Sequence, residues 1–466
     1  MSIQLVIILI YFAVTVGVGM YAKKKSTSSN SFHGIGLGIL MCVAAGTGEW
    51  LGGTSTTGVS EYGYLFGLSG AWYTIANGIG VIVLAIFFAK LYRSLETVTI
   101  PGIIEKYIGK NARVVSSILL TFVMIAVGTA QIIAAGTLGV TVLRLDYTTS
   151  VIIFGAGFIL YTLAGGMLAV GYTNMLHLVT MYGGILLALV LVGGDIGGLT
   201  ALRSSLPAAP YFQMSGIGLP RVSSWIIASV LGACTAQAGI QPILAAKDVN
   251  VAKKAAVITA FIVAPFGLFT ALLGMAAKVK YPALANAKLA LPTLMMDLNP
   301  IAGGIVLASI MAAILSTVSP IILACGTMIT KDIYQRIMRP NATDRQVLFV
   351  SRLTTGAAGI ICTFLALLMY GSTRILDMIY FAYTIRGSLF VVLLFGIYGK
   401  VTSQKGSVWA MILTTFVGFF WVLYKSQFGF YPIHPMITET YASVAAAFVS
   451  MIIFNFVFPK TKEISG

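Results

Sequence analysis

Residues 37–58 have the sequence LGILMCVAAGTGEWLGGTSTTG. The stretch is long and apolar enough to cross a membrane, since about 20 residues span the hydrocarbon core. Its middle is unusual, because Gly46, Gly48, Gly52 and Gly53 surround the acidic Glu49. Glycine is a poor helix former, so this cluster predicts a break in the helix. Backbone groups freed by a break must bind protein, water or an ion, and Glu49 therefore favours a substrate or ion site over a close helix–helix contact made by small residues.

The composition places the whole chain in a membrane. Of its 466 residues 58% are hydrophobic and 9% charged, with a mean hydropathy of +0.96. Soluble domains carry roughly 25% charged residues. Four cysteines lie in apolar segments without paired spacing, which indicates neither a disulfide framework nor a metal site: Cys42, Cys234, Cys325 and Cys362.

The hydropathy pattern predicts thirteen membrane-spanning helices. The first is read as a retained span because its Lys23–Lys25 cluster follows the apolar run instead of preceding it. The thirteen predicted spans are 4–22, 37–58, 65–91, 114–143, 148–168, 173–193, 223–246, 255–277, 301–329, 353–370, 375–398, 407–424 and 441–458.

The basic residues predict the orientation. With the N-terminus outside and the C-terminus cytoplasmic, 20 of the 29 Lys and Arg residues fall in cytoplasmic segments, eight outside, and Arg386 lies within a span. This asymmetry follows the positive-inside rule. The net charge of +16 is then a topology signal, and no nucleic-acid partner is needed to explain it.

Two interruptions suggest an internal duplication. The seventh span carries the polar run TAQAGIQP at 235–242, which includes Gln237 and Gln241, and the second span is interrupted by glycines. Paired interruptions at corresponding positions of two halves are typical of inverted-repeat transporters and mark their binding sites.

The ninth span supplies a possible ion site. Ala313, Ser316 and Thr317 are three and four residues apart and share one helix face. Two hydroxyls and a carbonyl beside a broken helix would suit a hard cation. The alternative is that both hydroxyls bond carbonyls of their own helix or of a neighbour.

Charged residues deep in the spans are candidates for substrate binding. We identify two, Glu49 and Arg386, near the middle of their spans. They could pair with each other as a structural or gating ion pair. Alternatively, the planar guanidinium of Arg386 receives a substrate carboxylate. Further candidates for lining the substrate site are Trp50, Gln131, Gln237 and Gln241.

The chain resembles the sodium:solute symporter family, which includes bacterial proline, pantothenate, sialic acid and galactose carriers. The resemblance spans nearly the whole chain, and five stretches carry it: AKKKSTSSNSF (22–32), TVTIPGIIEKYIGKNARV (97–114) with Gln131 in AQIIAAGTLG, GGMLAVGYTN (165–174), QAGIQPILAAKDVNVAKKA (237–255) and MAAILSTVSP (311–320).

The resemblance implies an all-α, leucine-transporter-like fold in a single domain. Residues 37–193 and 223–398 would form two inverted five-helix repeats, and the spans at 4–22 and 407–458 would be peripheral. It also implies a sodium site built from the Ala44, Thr47 and Ala313 carbonyls and the Ser316 and Thr317 hydroxyls.

The chain departs from the family pattern at two places that matter for ions. Some members hold a second sodium with an aspartate and two more hydroxyls, whereas this chain has Asn174 and Pro320 at two of these positions and keeps only Ser319. Pro242 replaces an arginine of the inner loop. A second sodium and the usual inner-loop ion pairs are therefore in doubt.

Together these features predict a sodium-coupled importer of a small polar solute, a carboxylate or amino acid-like compound, that works as a monomer in the cell membrane. The alternatives are a proton-coupled symporter that uses Glu49, or a sugar or vitamin sodium symporter of the same family. Because no nucleophile–base cluster or metal-ligand set is present, an enzyme is not expected. Sodium is the only ion or cofactor expected.

Overall fold

The fold is described from a computed structural model, which covers residues 2–23, 36–371, 373–399 and 402–459, without the side chains of 22–23 and 164–169. The predicted basic loop 24–35 and the tail 460–466 lie outside these residues. The described chain is helical, and its single extended contact is a parallel bridge between Leu37 and Ala246.

The helices follow one another with short connections. Their bounds are α1 Ile3–Lys23, α2 Ile39–Trp50, α3 Val59–Phe66, α4 Trp72–Val83, α5 Ala89–Ser94, α6 Ile100–Tyr107, α7 Lys110–Leu143, α8 Tyr147–Ile196, α9 Gly198–Ser205, α10 Ala208–Tyr211, α11 Leu219–Ala233, α12 Gln237–Leu244, α13 Val249–Lys280, α14 Ala290–Met296, α15 Pro300–Met328, α16 Asp344–Met369, α17 Ile375–Tyr398, α18 Gln404–Phe428 and α19 Glu439–Val457. Wider π-type turns occupy Thr54–Gly58, Leu84–Phe88 and Ile329–Met338.

The predicted count of thirteen spans is not confirmed. Eleven helical stretches of the described chain are long and apolar enough to cross a membrane. The predicted spans 148–168 and 173–193 fall within the single helix α8, whose 50 residues would extend about 75 Å if straight. The connection expected between these spans, at 169–172, is helical, and Gly165 and Gly166 do not end the helix, since adjacent glycines weaken a helix without necessarily breaking it.

Both predicted interruptions are present. The first helix breaks between α2 and the turn at Thr54–Gly58, and the second between α11 and α12 at Cys234–Ala236. Hydrogen bonds join the N-terminal end of α2 to the C-terminal end of α12. The Leu37 N–H donates to Ala245 O at 2.9 Å, and the Lys247 N–H donates to Leu37 O at 2.9 Å. The Cys42 thiol also donates to Pro242 O at 3.3 Å.

The most deeply buried helix is α15. Almost all of its residues from Val306 to Met328 are shielded, and it packs against α1, α2, α7, α8 and α16. The helices α16, α18 and α19 instead expose large apolar side chains, as surfaces that face lipid do. The central position of α15 places Ala313, Ser316 and Thr317 beside the first break.

Candidate functional site

The first break lies at Leu51 and Gly52. The backbone of Leu51 leaves the helical region with φ −110° and ψ 66°, and its N–H still donates to Thr47 O at 3.0 Å. Gly52 O accepts the hydroxyls of Ser55 at 2.8 Å and Thr56 at 3.1 Å. The Thr56 N–H also donates to Gly52 O at 3.1 Å, so the helix that restarts after the break is tied to this carbonyl by both backbone and side-chain donors.

Glycines allow the break to press against two neighbouring helices. A Cβ added to Gly52 would collide with the Thr317 hydroxyl on α15 and the Gln131 amide on α7. The Gln131 amide nitrogen donates to the Thr54 hydroxyl at 2.6 Å, so Gln131 binds the restart of the helix. Sequence reasoning assigned Gln131 to the substrate site, and the structure places it at the break.

The predicted sodium ligands on α15 face α2. The Ser316 hydroxyl donates to Ala313 O at 2.8 Å and lies 3.4 Å from Gly48 O. The Thr317 hydroxyl donates to Gly48 O and lies 3.3 Å from Ala313 O. Ser316, Thr317 and the Ala313 carbonyl are thus brought together with the broken helix.

The residues on α2 contribute differently from the expectation. Ala44 and Thr47 are buried on this helix, but the carbonyl that meets the two hydroxyls is that of Gly48, which sequence reasoning did not select. The glycine itself was a signal in the sequence, because a residue without a side chain is needed where two helices approach so closely. A Cβ on Gly48 would lie 2.8 Å from Ser316 O. The neutral oxygens that converge here are ligands of the kind that hard cations prefer.

The position expected to carry a second-sodium ligand holds an amide donor. The Asn174 amide nitrogen donates to Ser316 O at 3.1 Å. Ser319 is buried nearby on α15, with no hydrogen bond from its hydroxyl among the described residues.

Glu49 and Arg386 meet in the middle of the molecule. The Arg386 Nη1 and Glu49 Oε1 atoms are 3.8 Å apart, and the two side chains are 0% and 1% exposed. None of the three guanidinium nitrogens forms a hydrogen bond within the described part of the chain. The Arg386 guanidinium instead lies 4.0 Å from the Tyr383 ring centre and 5.5 Å from that of Trp50.

The remaining candidates for the substrate site are Trp50, Gln237 and Gln241, and their surroundings differ. Trp50 packs edge-on against Tyr383, beside Arg386. The Gln237 amide is used elsewhere, since it accepts the Ile100 N–H at 2.7 Å and donates to Val98 O at 3.1 Å. Gln241 is buried on α12, and its amide nitrogen has no hydrogen bond in the described structure.

An aromatic cluster that the sequence analysis did not select lies beside Arg386. The Tyr73 and Tyr383 hydroxyls are 3.2 Å apart, and Tyr380 stacks on Trp225 at 4.1 Å between ring centres. The cavity beside Trp50 has a volume of about 10 Å³, enough for one water at most. A solute can therefore enter only if these helices separate.

Besides Glu49 and Arg386, the two charged residues that the sequence places deep within spans, the structure buries charged residues from outside the predicted spans. Glu61 is 3.9 Å from Lys288, and both are largely buried. Close to them, Asp377 accepts hydrogen bonds from Arg221 and Tyr62. Sequence reasoning placed Glu61 in a loop, but the helix restarts after the break and carries it into the interior as part of α3.

Ion pairs also join α6 and the start of α7 to the π-type turn Ile329–Met338 after α15, although Pro242 replaces the arginine that the family pattern has at this position. Arg113 Nη2 contacts Asp332 at 2.6 Å and pairs with Glu105, and Arg336 contacts Glu105 at 2.7 Å. Partial burial opposes ionisation of Glu105, but the hydrogen bonds from Arg336 and Arg113 prevail and lower the pKa of this carboxyl below its usual value.

A model of the sodium:solute symporter family matches residues 33–414. The chain belongs to the sodium:solute symporter family. It is 26% identical to the osmoregulated proline transporter OpuE of Bacillus subtilis over 97% of this chain and 95% of that protein. It is also 26% identical to a sodium/glucose cotransporter of Vibrio parahaemolyticus, over 87% and 82% of the two chains.

Solved structures confirm the predicted fold. A Na⁺-coupled sialic acid symporter in a substrate-bound outward-open state matches with a TM-score of 0.82 at 17% identity, covering 100% of both chains. MhsT in complex with L-phenylalanine matches with a TM-score of 0.55 at 15% identity, covering 89% of this chain and 98% of that one. The chain is thus a multi-pass transporter of the leucine-transporter-like fold that couples sodium to a small solute.

Proposed function

We propose that this symporter imports a small solute that carries a carboxylate, such as an amino acid, and that Arg386 binds this carboxylate. The observation that carries the proposal is the state of the Arg386 side chain. It is fully buried, forms no hydrogen bonds in the described structure and has Glu49 only at 3.8 Å. A buried guanidinium with its donors unused is costly, and a carboxylate would accept two of them.

The relatives include one transporter that is named for an amino acid and one that is named for a sugar. Relatives of similar identity include a proline transporter and a sodium/glucose cotransporter. Transport assays on the purified protein in proteoliposomes, with labelled L-proline, L-alanine, acetate and D-glucose, would separate these classes. We expect uptake of one of the acids in sodium. Uptake of glucose alone, or equal uptake driven by a proton gradient in choline buffer, would contradict the proposal.

The proposed sodium site consists of the Ala44, Thr47 and Ala313 carbonyls and the Ser316 and Thr317 hydroxyls. Support comes from the two hydroxyls, which now direct their protons at carbonyl oxygens between α2 and α15. A cation at this point would be bound by these hydroxyl and carbonyl oxygens, with the hydroxyl protons turned away from it, and would hold the two helices together. Because sodium would then bind one conformation better than the other, its entry would favour the substrate-ready state.

We expect one sodium ion to move with each solute. The reason is Asn174, whose amide donates to Ser316 O where a second sodium would need an anionic ligand. The measurement is the charge moved per solute in proteoliposomes, combined with the sodium Hill coefficient, which should be close to one. A ratio of two sodium ions per solute would show that Ser319 and its neighbours complete a second site despite the amide.

The proposed organisation is a monomer with two inverted repeats, at 37–193 and 223–398, between peripheral helices at 4–22 and 407–458. The paired breaks in α2–α3 and α11–α12 support the repeat. The Lys and Arg asymmetry supports an N-terminus outside the cell and a cytoplasmic C-terminus.

Cysteine labelling tests this orientation. With the four native cysteines, all of which are buried, left in place, Ser205→Cys should react with an impermeant maleimide added to whole cells, because Ser205 is exposed. A cysteine at Asn341 should react only after the membrane is opened. The reverse pattern would invert the proposed topology.

A further inference from the structure

The substrate region contains a second buried polar group whose hydrogen-bonding capacity is unused. Asn77 is 0% exposed on α4, and neither its amide oxygen nor its amide nitrogen makes a well-formed hydrogen bond within the described residues. A buried amide whose hydrogen bonds are not well formed is destabilising relative to one that is fully paired. Such a residue in a tightly packed interior calls for an explanation.

Asn77 lies close to the proposed carboxylate site. It follows Tyr73 by one helical turn, so both side chains lie on the same face of α4. The Tyr73 hydroxyl is 3.2 Å from that of Tyr383, which is also adjacent to the Asn77 amide. On its other side, the Tyr383 ring covers Arg386 at 4.0 Å. The unused amide and the unused guanidinium are therefore separated by one aromatic side chain.

The position of Asn77 is fixed by the packing of its own helix. A Cβ added to Gly78 would lie 2.8 Å from the Ala264 Cβ on α13, and one added to Gly80 would lie 2.7 Å from Ser229 O on α11. These contacts hold α4 against two neighbours and prevent it from turning to give Asn77 another partner. The amide is kept where it is, next to the aromatic cluster.

We propose that Asn77 is a specificity-determining residue that hydrogen-bonds a second polar group of the solute. Its amide oxygen accepts and its amide nitrogen donates, so it suits an amino or hydroxyl substituent. This inference rests on the proposed function, in which Arg386 binds the carboxylate of the same solute. The substrate is then a small acid with an N–H or O–H group, and the acid that lacks this group is rejected because Asn77 stays unpaired.

The test compares acids that differ only in this substituent. The probes are L-proline against cyclopentanecarboxylate, and L-alanine and L-lactate against propionate. Thermal stabilisation of the purified full-length protein in sodium gives the affinity for each compound. We expect the wild-type protein to prefer a substituted acid over its unsubstituted partner by about tenfold or more.

Three variants identify the role of Asn77. Asn77→Leu should lose the preference while binding the unsubstituted acid as before, and Asn77→Asp, which keeps an acceptor, should retain part of it. Thr74→Val is the matched control, since the Thr74 hydroxyl is engaged in packing with Ala264 O at 3.0 Å and the Gly267 N–H at 2.8 Å. It should lower the melting temperature without changing the preference.

The outcomes test the role of Asn77 and the role of Arg386 separately. A preference that persists in Asn77→Leu, or an equal loss for both members of a pair, overturns the role of Asn77 but leaves that of Arg386. Unchanged binding of all acids by Arg386→Gln overturns the carboxylate site whatever Asn77 does. If no acid stabilises the wild-type protein in sodium, both proposals fail.

Discussion

Arg386→Gln is expected to reduce sodium-dependent uptake of the acid by about a hundredfold or more. The side chain is fully buried and forms no hydrogen bonds in the described structure, so its five N–H donors are free to serve a ligand. Glutamine cannot supply the charge or the paired donors that a carboxylate requires. Initial rates of uptake in proteoliposomes, corrected for the amount of protein inserted, measure this effect.

Arg386→Lys separates charge from geometry. It keeps the positive charge but loses the planar fork, so the Km for the solute should rise about tenfold while the sodium dependence stays the same. Arg203→Gln, an exposed arginine on α9, is the matched control and should transport normally.

The competing explanation is that Arg386 only pairs with Glu49 to hold α2 and α17 together. In that case Arg386→Gln leaves an unpaired buried carboxylate, and adding Glu49→Gln should restore uptake. If Arg386 binds substrate, the double variant stays inactive. Glu49→Gln alone should be milder, since a neutral amide still accepts a hydrogen bond from arginine.

Thr317→Ala is expected to raise the sodium concentration for half-maximal uptake by about tenfold or more. The variant removes one of two hydroxyl oxygens from a proposed site built of neutral groups, where no carboxylate compensates for the loss. Ser316→Ala should act in the same direction. The measurement is the sodium dependence of initial uptake with choline as the replacement ion.

Ser309→Ala provides the control for this effect. Ser309 is buried on the same helix, and its hydroxyl donates only to Val306 O of its own helix at 2.6 Å. Its loss should leave the sodium dependence unchanged. Full uptake by Thr317→Ala at low sodium would place the coupling ion elsewhere.

The broken helix was predictable because its cause is local. Glycines at 46, 48, 52 and 53 weaken the helix wherever it lies, and an acidic residue among them has few uses in a membrane. The location of the break at Leu51 and Gly52 was not predictable, since it depends on contacts of Gly52 with Thr317 and Gln131. These residues are distant in the chain, and their proximity is a property of the folded protein.

The same limit explains the residues that were missed. Gly48 contributes a backbone carbonyl, which no side-chain pattern reports. Tyr73 and Tyr383 resemble ordinary apolar packing until their hydroxyls are seen to meet near Arg386. Glu61 lay in a predicted loop because it falls between the predicted spans 37–58 and 65–91, whereas the chain continues as a helix there and buries the carboxylate beside Lys288. The role of Gln237, bound to the chain before α6, likewise depends on tertiary contacts.

The hydrogen bonds between Leu37 and residues 245 and 247 couple α2 to α12, which are one half of each broken helix. Each half ends at a break, at Leu51–Gly52 in one helix and at Cys234–Ala236 in the other, while the opposite ends are joined by hydrogen bonds. Two helices that are hydrogen-bonded to each other at one end and interrupted at the other are expected to move together. Release of solute into the cell would then need α2 and α12 to move at the same time. The Leu37 and Lys247 amides should therefore resist deuterium exchange throughout the transport cycle.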